Sequence, residues 1–513
     1  MSRAAEFVRR LSAVAVALRA GIRGDLLAAF AGALLVPAFA PFDCYLLAVA
    51  APALLLWLIG PLGWRRAAWR GFLFGFAEFA LGVHWIYISL HGMGGVDAPI
   101  AVIMLILLVA VMGCYSATAC GLAAGFTDDG WQRRLLLFPA TWALTEWVRS
   151  WFLTGFPWLN LGVSQVDGPL RGYASLLGTF GVGFCVILSA GLLLDMLAPR
   201  RRRALALAGF TALWVVGGLL AAVRWTHPAG PKFRVSLVQG NIAQDEKWEP
   251  EYFGPTLEMY RALTVENWKS RLVVWPEAAV PAYEDEVKED FLDPLEAEAR
   301  KHGTDILMGI PTYNPAGDAY YNSVISLGSS DGVYDKRHLV PFGENFEFLP
   351  GWVRSLLRSM DLPYSSFSPG AAHQVLLKAA GYPVGVSICY EDAYGDEIMQ
   401  DLPEAAYLVN VSNDGWFGKS IALPQHLEIS RMVALEAGRY LLRATNTGIT
   451  AIVDDAGRIV GRAPSGERSV LSGDIVPLAG ATPVSRWGNS PVLLLSLLLV
   501  AACAVRVRHG KDA

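Results

Sequence analysis

The chain is poor in charge. Only 17% of its 513 residues are Asp, Glu, Lys or Arg, where a soluble protein of this size carries about 25%. The deficit is local: residues 25–223 and 490–506 hold the apolar mass, and 224–489 read as an ordinary globular region that is long enough for a packed core. Cysteine is scarce as well. Six are scattered along the chain with no metal-ligand spacing, and Cys389 is alone between residues 224 and 489, which excludes an internal disulfide there. A net charge of −4 gives no basic excess, and nothing in the sequence points to nucleic acid.

What is present begins with apolar runs. Crossing the hydrocarbon core of a bilayer takes about 20 mostly apolar residues. Candidate spans lie at 25–41, 44–60, 71–90, 98–125, 135–150, 172–198, 204–223 and 490–506. Arginines punctuate every second connection: Arg19 and Arg23, then Arg65, Arg66 and Arg70, then Arg133 and Arg134, then Arg200–Arg203, then the tail "RVRHGKD". Basic connections favour the cytoplasm, so eight spans fit, with 224–489 tethered at both ends outside the cytoplasm. The 149–171 connection, with Arg149 and Arg171, breaks the alternation. The first span has no clear small-residue cleavage site and reads as a retained helix. The resulting division is a membrane bundle over 1–223, a globular domain over 224–489, and a terminal span with its tail over 490–513. Glu78, His84, Glu146 and Arg149 fall at membrane depth or its edge, where ionisable groups are costly. The i,i+3 spacing of Glu146 and Arg149 lets them pair with one another.

From residue 234 onward, short apolar strands alternate with helical patterns, which predicts an α/β domain. "DDAG" at 454–457 reads as a hairpin turn. Polar side chains gather where strands end: Glu277 after "VVWP", Cys389 after "VSI", Asn413 and Asp414 after "LVNVS". Strand ends at one rim are where α/β folds build sites. The segment "YDKRHLVPFGE" adds Lys336 and Glu344 in a turn-rich stretch. Together these residues supply the parts of acyl chemistry. Cys389 is a nucleophile, Glu277 a base that can return the proton, and Lys336 a cation for a developing oxyanion. His338 and His426 lie nearby in the motifs, and a structural role suits them better.

"VVWPEAAVP", "YDKRHLVPFGE" and "VSICYED" resemble the three motifs of the nitrilase superfamily. The rest of the chain is similar to its apolipoprotein N-acyltransferase branch, through "TGFPWLNLG", "VQGNIAQDEKW", "SNDGWFGKS" and "LLRATNTGITA". This resemblance implies an α-helical membrane bundle joined to an extracytoplasmic αββα nitrilase-like sandwich. It also implies a Glu277–Lys336–Cys389 triad, with Glu344, Trp248, Tyr390 and Glu391 in support. The implied reaction moves an acyl chain from a phospholipid to Cys389 and then to the α-amine of a diacylglyceryl-cysteine lipoprotein. No cofactor or metal is expected; the partners are the phospholipid donor, the lipoprotein acceptor and the bilayer of a bacterial inner membrane.

Bland alternatives stand beside these roles. Trp248 is also what a packing tryptophan after a polar loop looks like. Glu391 could accept hydrogen bonds without taking part in chemistry. Trp416 and Phe417 suit either a core or an acyl contact. The stretch 345–357, "NFEFLPGWVRSLL", reads as an apolar lid that keeps water from a thioester. Two other functions fit the sequence less well. A membrane-anchored amidase would not need the bundle. A transporter with a sensor domain would not need the triad, and no span is visibly discontinuous.

Overall fold

A computed structural model describes residues 16–127, 130–341, 343–344, 351 and 367–509. The predicted lid at 345–357 lies, apart from Gly351, outside the described residues. The chain divides into two compact units. One takes the chain up to His84, Pro99–Ala222 and the stretch from Asn489; the other takes Trp85–Ala98 and Val223–Gly488.

The first unit is helical: Gly21–Leu35, Leu47–Ile59, Trp64–Gly82, Ala98–Gly125, Phe138–Arg149, Ala174–Asp195, Arg200–Leu220 and Ser490–His509. Each predicted span overlaps one of them, but their lengths differ from the sequence reading. Among the described residues four are long and apolar enough to cross a membrane: Gly21–Ala38, Ala98–Gly125, Pro169–Asp195 and Arg200–Leu220. Leu47–Ile59 and Ser490–Arg506 are apolar but shorter. The predicted span 135–150 forms only the helix Phe138–Arg149, preceded by a π-helical turn over Arg133–Leu137. Small residues let the helices approach closely, as in membrane bundles generally. A Cβ on Gly32 would sit 1.9 Å from the Phe74 carbonyl oxygen, so only glycine fits there.

Arginines that looked like orientation signals also have a packing role. Arg133 is buried and donates to the carbonyls of Ile59 (3.2 Å), Gly60 (2.8 Å) and Leu62 (3.3 Å). Arg70, also buried, donates to Leu58 O at 2.8 Å and to Asp25 Oδ1 at 3.1 Å. These carbonyls end a helix and have no partner within it, so the guanidinium groups act as its C-terminal caps. Glu146 and Arg149 do pair, at 3.6 Å. Arg149 also donates to Asn160 Oδ1 (2.7 Å), and Glu146 Oε1 accepts from Leu161 N (2.8 Å).

The second unit is a four-layer sandwich. One six-stranded sheet runs, in spatial order, Ser469–Ile475, Phe233–Gln239, Leu272–Val274, Asp305–Asn314, Ala319–Leu327 and Gly332–Asp335. The other runs Ile459–Arg462, Ala451–Val453, Leu441–Thr445, Tyr407–Ser412, Tyr382–Ile388 and Leu377–Ala379. Three central strands of each are parallel and mostly buried, as strands covered on both faces must be. Phe233 joins the sheets, stacking on Tyr382 at 6.0 Å and meeting Tyr407 edge-on at 5.8 Å. Outside the first sheet lie helices Pro250–Val265 and Asp293–His302, whose Tyr260, Leu295 and Ala299 pack on Val273, Trp275 and Ile306. Outside the second lies Ala422–Ala437, whose Leu427, Val433 and Ala434 pack with Leu408 and Leu441. The "DDAG" turn joins two antiparallel strands, with Gly457 in the left-handed region at φ 72°.

One boundary departs from the sequence reading. The predicted span 71–90 stops being α-helical after Gly82, and Trp85–Ala98 belongs to the second unit. There the Trp85 indole N–H donates to Gln425 Oε1 (3.2 Å), its ring meets Phe417 edge-on at 4.7 Å, and the Ser89 hydroxyl donates to Trp416 O (2.8 Å). Phe417 is thus a packing residue here, while Trp416 is 40% exposed.

Candidate active site

Parallel strands aim their carboxyl ends at one rim, and side chains just beyond those ends meet there. Glu277 follows Leu272–Val274, Lys336 follows Gly332–Asp335, and Cys389 follows Tyr382–Ile388. All three are buried.

Glu277 is held from two sides. Its Oε1 accepts from Asn322 Nδ2 at 2.8 Å and its Oε2 from the backbone N–H of Asn413 at 2.9 Å. Lys336 Nζ stands 3.5 Å from Glu277 Oε1 and donates to Glu344 Oε1 at 2.8 Å. Asn322 Nδ2 also reaches Glu344 Oε1, at 3.1 Å, so one amide spans both acids. Glu344 Oε2 accepts from Val340 N at 2.8 Å, which fastens its own loop. Burial works against the Lys336 charge, but Glu344, Glu277 and Cys389 more than offset it and push its pKa up. The ammonium is therefore a fixed positive charge.

Cys389 opens a short 3₁₀ turn, Cys389–Ala393, and sits at φ 55°. That left-handed conformation is uncommon for a residue with a side chain. Burial, then Glu277, push the thiol pKa up, while Lys336 pulls it down. The resting sulfur is therefore a thiol, and it needs a base before it can attack.

Glu391 ties two of these elements together. Its Oε2 accepts from Ile388 N (2.7 Å) and Tyr334 Oη (3.0 Å); its Oε1 accepts from Arg337 N (2.6 Å) and His338 N (3.0 Å). The carboxylate thus locks the turn carrying Cys389 to the one carrying Lys336. Tyr390 is buried and packs edge-on against Tyr394 at 5.1 Å and His338 at 6.2 Å. His338 has a structural setting, stacked on Tyr394 at 3.5 Å with Nδ1 3.1 Å from Glu397 Oε1. Trp248 stands apart: it is 53% exposed and, among the described residues, has no hydrogen bond or ring contact.

Two residues were missed by sequence reasoning. Asn322 opens "NSVISLG", a stretch read only as a strand, and its amide is what bridges the acids. Lys247 precedes Trp248, is buried, and donates from Nζ to the backbone carbonyl of Glu277 at 3.0 Å. Burial lowers its pKa to about 8 despite Glu277 and Cys389. The only signal for it was a lysine in an otherwise acidic "QDEKWE".

Known proteins give this arrangement a family. Residues 31–192 match the apolipoprotein N-acyltransferase N-terminal domain, and residues 234–483 match carbon-nitrogen hydrolase. A Methylococcus capsulatus protein named apolipoprotein N-acyltransferase is 48% identical over 491 residues, covering 94% of this chain and 97% of its own. A Coxiella burnetii protein of the same name is 40% identical over 486 residues, covering 93% and 99%. Among solved structures, a carbon-nitrogen hydrolase from Helicobacter pylori matches 48% of this chain and 89% of its own at 18% identity, with a TM-score of 0.37. With both halves matched in order and relatives aligned over nearly its whole length, the chain belongs to the apolipoprotein N-acyltransferase family.

Proposed function

We propose that this chain transfers a fatty acyl group from a membrane phospholipid to the α-amine of a diacylglyceryl-cysteine lipoprotein, with Cys389 as the acyl carrier. The observation that carries this reading is a buried thiol just past the strand Tyr382–Ile388, in a domain where a buried Lys336 ammonium stands 3.5 Å from the Glu277 carboxylate. In the first half-reaction Glu277 takes the thiol proton and the sulfur attacks the sn-1 ester carbonyl. Lys336 and the backbone N–H after Cys389 steady the oxyanion. The ester C–O bond breaks, Glu277 protonates the glycerol oxygen, and a lysophospholipid leaves. In the second half-reaction the acceptor amine attacks the thioester carbonyl. Glu277 takes the amine proton and returns it to sulfur as the C–S bond breaks. Glu344 and Asn322 position the lysine and the base, and Glu391 keeps the Cys389 and Lys336 turns in register.

The same reading places eight helices in a bacterial inner membrane, over 1–223 and 490–513, with the catalytic domain 224–489 on the periplasmic side. The arginine pattern supports that sidedness. A site beside the bilayer also spares drawing an acyl chain into water, about 0.8 kcal/mol per CH₂.

The test uses purified protein in mixed micelles with phosphatidylethanolamine and a diacylglyceryl-cysteine peptide. Mass spectrometry should find the peptide heavier by one acyl chain, with one lysophospholipid released per peptide. Release of free fatty acid with the peptide unchanged would instead make the protein a lipid hydrolase. Sidedness is tested by Asp331→Cys, because that side chain is 79% exposed. A membrane-impermeant maleimide should label it on intact spheroplasts; labelling only after lysis would reverse the orientation.

A further inference from the structure

Behind Cys389 lies a cluster of charges that the two half-reactions do not use. Asp392, Asp414, His426 and Arg443 come from four separate elements and are fully buried or nearly so. Arg443 spans both acids, with Nη1 3.1 Å from Asp392 Oδ2 and Nη2 3.0 Å from Asp414 Oδ2. His426 does the same from the helix Ala422–Ala437, with Nε2 2.9 Å from Asp392 Oδ1 and Nδ1 3.0 Å from Asp414 Oδ1. Arg443 and His426 thus each bridge the two carboxylates. Such a cluster is weak evidence for stability, because apolar packing of the same volume serves as well. Its use should be sought in the geometry it fixes.

That geometry is the nucleophile's own peptide. The carbonyl of Cys389 accepts from Asn410 Nδ2 at 3.1 Å and faces His426 Nε2 at 3.3 Å. Asn410 is held in turn by Arg443 Nη1, 2.6 Å from its Oδ1. We propose that Asp392, Asp414, His426 and Arg443 form a positioning network. Together with Asn410 it grips the Cys389 carbonyl and keeps the residue in the left-handed turn that presents its sulfur to Glu277 and Lys336. The strain of that turn is held by buried donors on its far side. None of the four touches the reacting atoms. The electrostatics agree: burial and Arg443 oppose a charged ring, but Asp392 and Asp414 outweigh them and push the His426 pKa up to about 9. The two carboxylates thus favour the charged ring, while Arg443 Nη2, 2.8 Å from Nδ1, opposes it.

This inference rests on the reading of Cys389 as the acyl carrier, and one experiment separates the two. Full-length protein in nanodiscs containing phosphatidylethanolamine is followed by intact mass for acylation of Cys389. The variants are His426→Asn, His426→Gln and Asn410→Ser. A glutamine amide reaches where Nε2 sits and can still donate to the Cys389 carbonyl; an asparagine amide reaches only the Nδ1 position. His426→Asn should slow acylation about 10–100-fold, the scale of a misplaced reacting group, with the half-saturating lipid concentration unchanged. His426→Gln should recover most of that loss. Asn410→Ser leaves both Arg443 ion pairs in place and should also slow acylation. A wild-type acylation rate in Asn410→Ser, or in folded His426→Asn, would overturn the network's role. An equal loss in both His426 variants would overturn it too. Absence of acyl mass on Cys389 in the wild-type protein would instead remove the acyl-carrier reading.

Discussion

Both units bury charge, and they use it differently. In the helical unit a buried arginine serves a local need. Arg70 and Arg133 complete the carbonyls at one helix end, and Arg149 braces the chain around Asn160. In the sandwich, buried and half-buried charges from distant positions converge. Glu277, Lys336 and Glu344 meet at one rim, and Asp392, Asp414, His426 and Arg443 meet behind it. The first pattern satisfies backbone groups that a bilayer cannot. The second shifts pKa values and surrounds the Cys389 peptide. Burial alone therefore does not mark a candidate site; convergence from distant positions does.

Substitutions should separate the two patterns. Glu277→Gln keeps the shape and removes the base, so acylation of Cys389 should fall by at least about 10³-fold, judged against general-base effects and read by intact mass. Lys336→Ala should cost about 10²–10³-fold in the same assay, as loss of an oxyanion donor does. Arg133→Ala tests the other side of the comparison. It strands several helix-end carbonyls and should lower stability by about 2–4 kcal/mol, while turnover per folded molecule stays unchanged. A drop in turnover at wild-type stability would show that Arg133 belongs to the chemistry after all.

The smallest expected effect is a pH dependence. The His426 pKa is raised to about 9, above its ordinary ~6.5, so the folded state binds a proton more tightly than the unfolded state. Its stabilisation is complete below about pH 6.5 and is lost as pH rises through 9. Asp392, Asp414, Arg443 and the Cys389 peptide all face the ring. Lys247 works in the opposite direction. Its pKa is lowered to about 8, so burying its charge costs stability below that pH, and the cost fades on going higher. Thermal melts from pH 6 to 9.5 should therefore show a wild-type decline that is shallower in His426→Gln. Parallel curves would remove the histidine's charge from the account.

Much of the site was legible because its residues sit at the ends of apolar strands, where a change from apolar to polar is visible locally. Cys389 and Glu277 announce themselves that way, whereas Lys336 lies in a turn-rich stretch and stands out through the motif around it. Glu391 accepts four hydrogen bonds, and its donors show which loops it joins. Asn322 and Lys247 were not legible, because their importance lies in which distant atom they reach. Arg443 meets Asp392 across 51 positions of sequence, a pairing that no local pattern encodes. In the bundle, apolar runs located helices but misjudged their lengths. The run to residue 90 contains a helix ending at Gly82, after which Trp85 turns to Gln425 and Phe417. Hydropathy records how apolar a segment is, and it does not record what covers it.

The central claim is that one sulfur carries the acyl chain between two substrates. It is tested most directly by a pulse and chase on the intact protein. Phosphatidylethanolamine with an isotopically labelled sn-1 chain is supplied first, the lipid is removed, and a diacylglyceryl-cysteine peptide is then added. The account predicts a labelled acyl mass on the peptide bearing Cys389, absent in Cys389→Ala, that disappears as the label arrives on the acceptor amine. Labelled acceptor formed with Cys389 unmodified throughout, or formed equally well by Cys389→Ala, would contradict it.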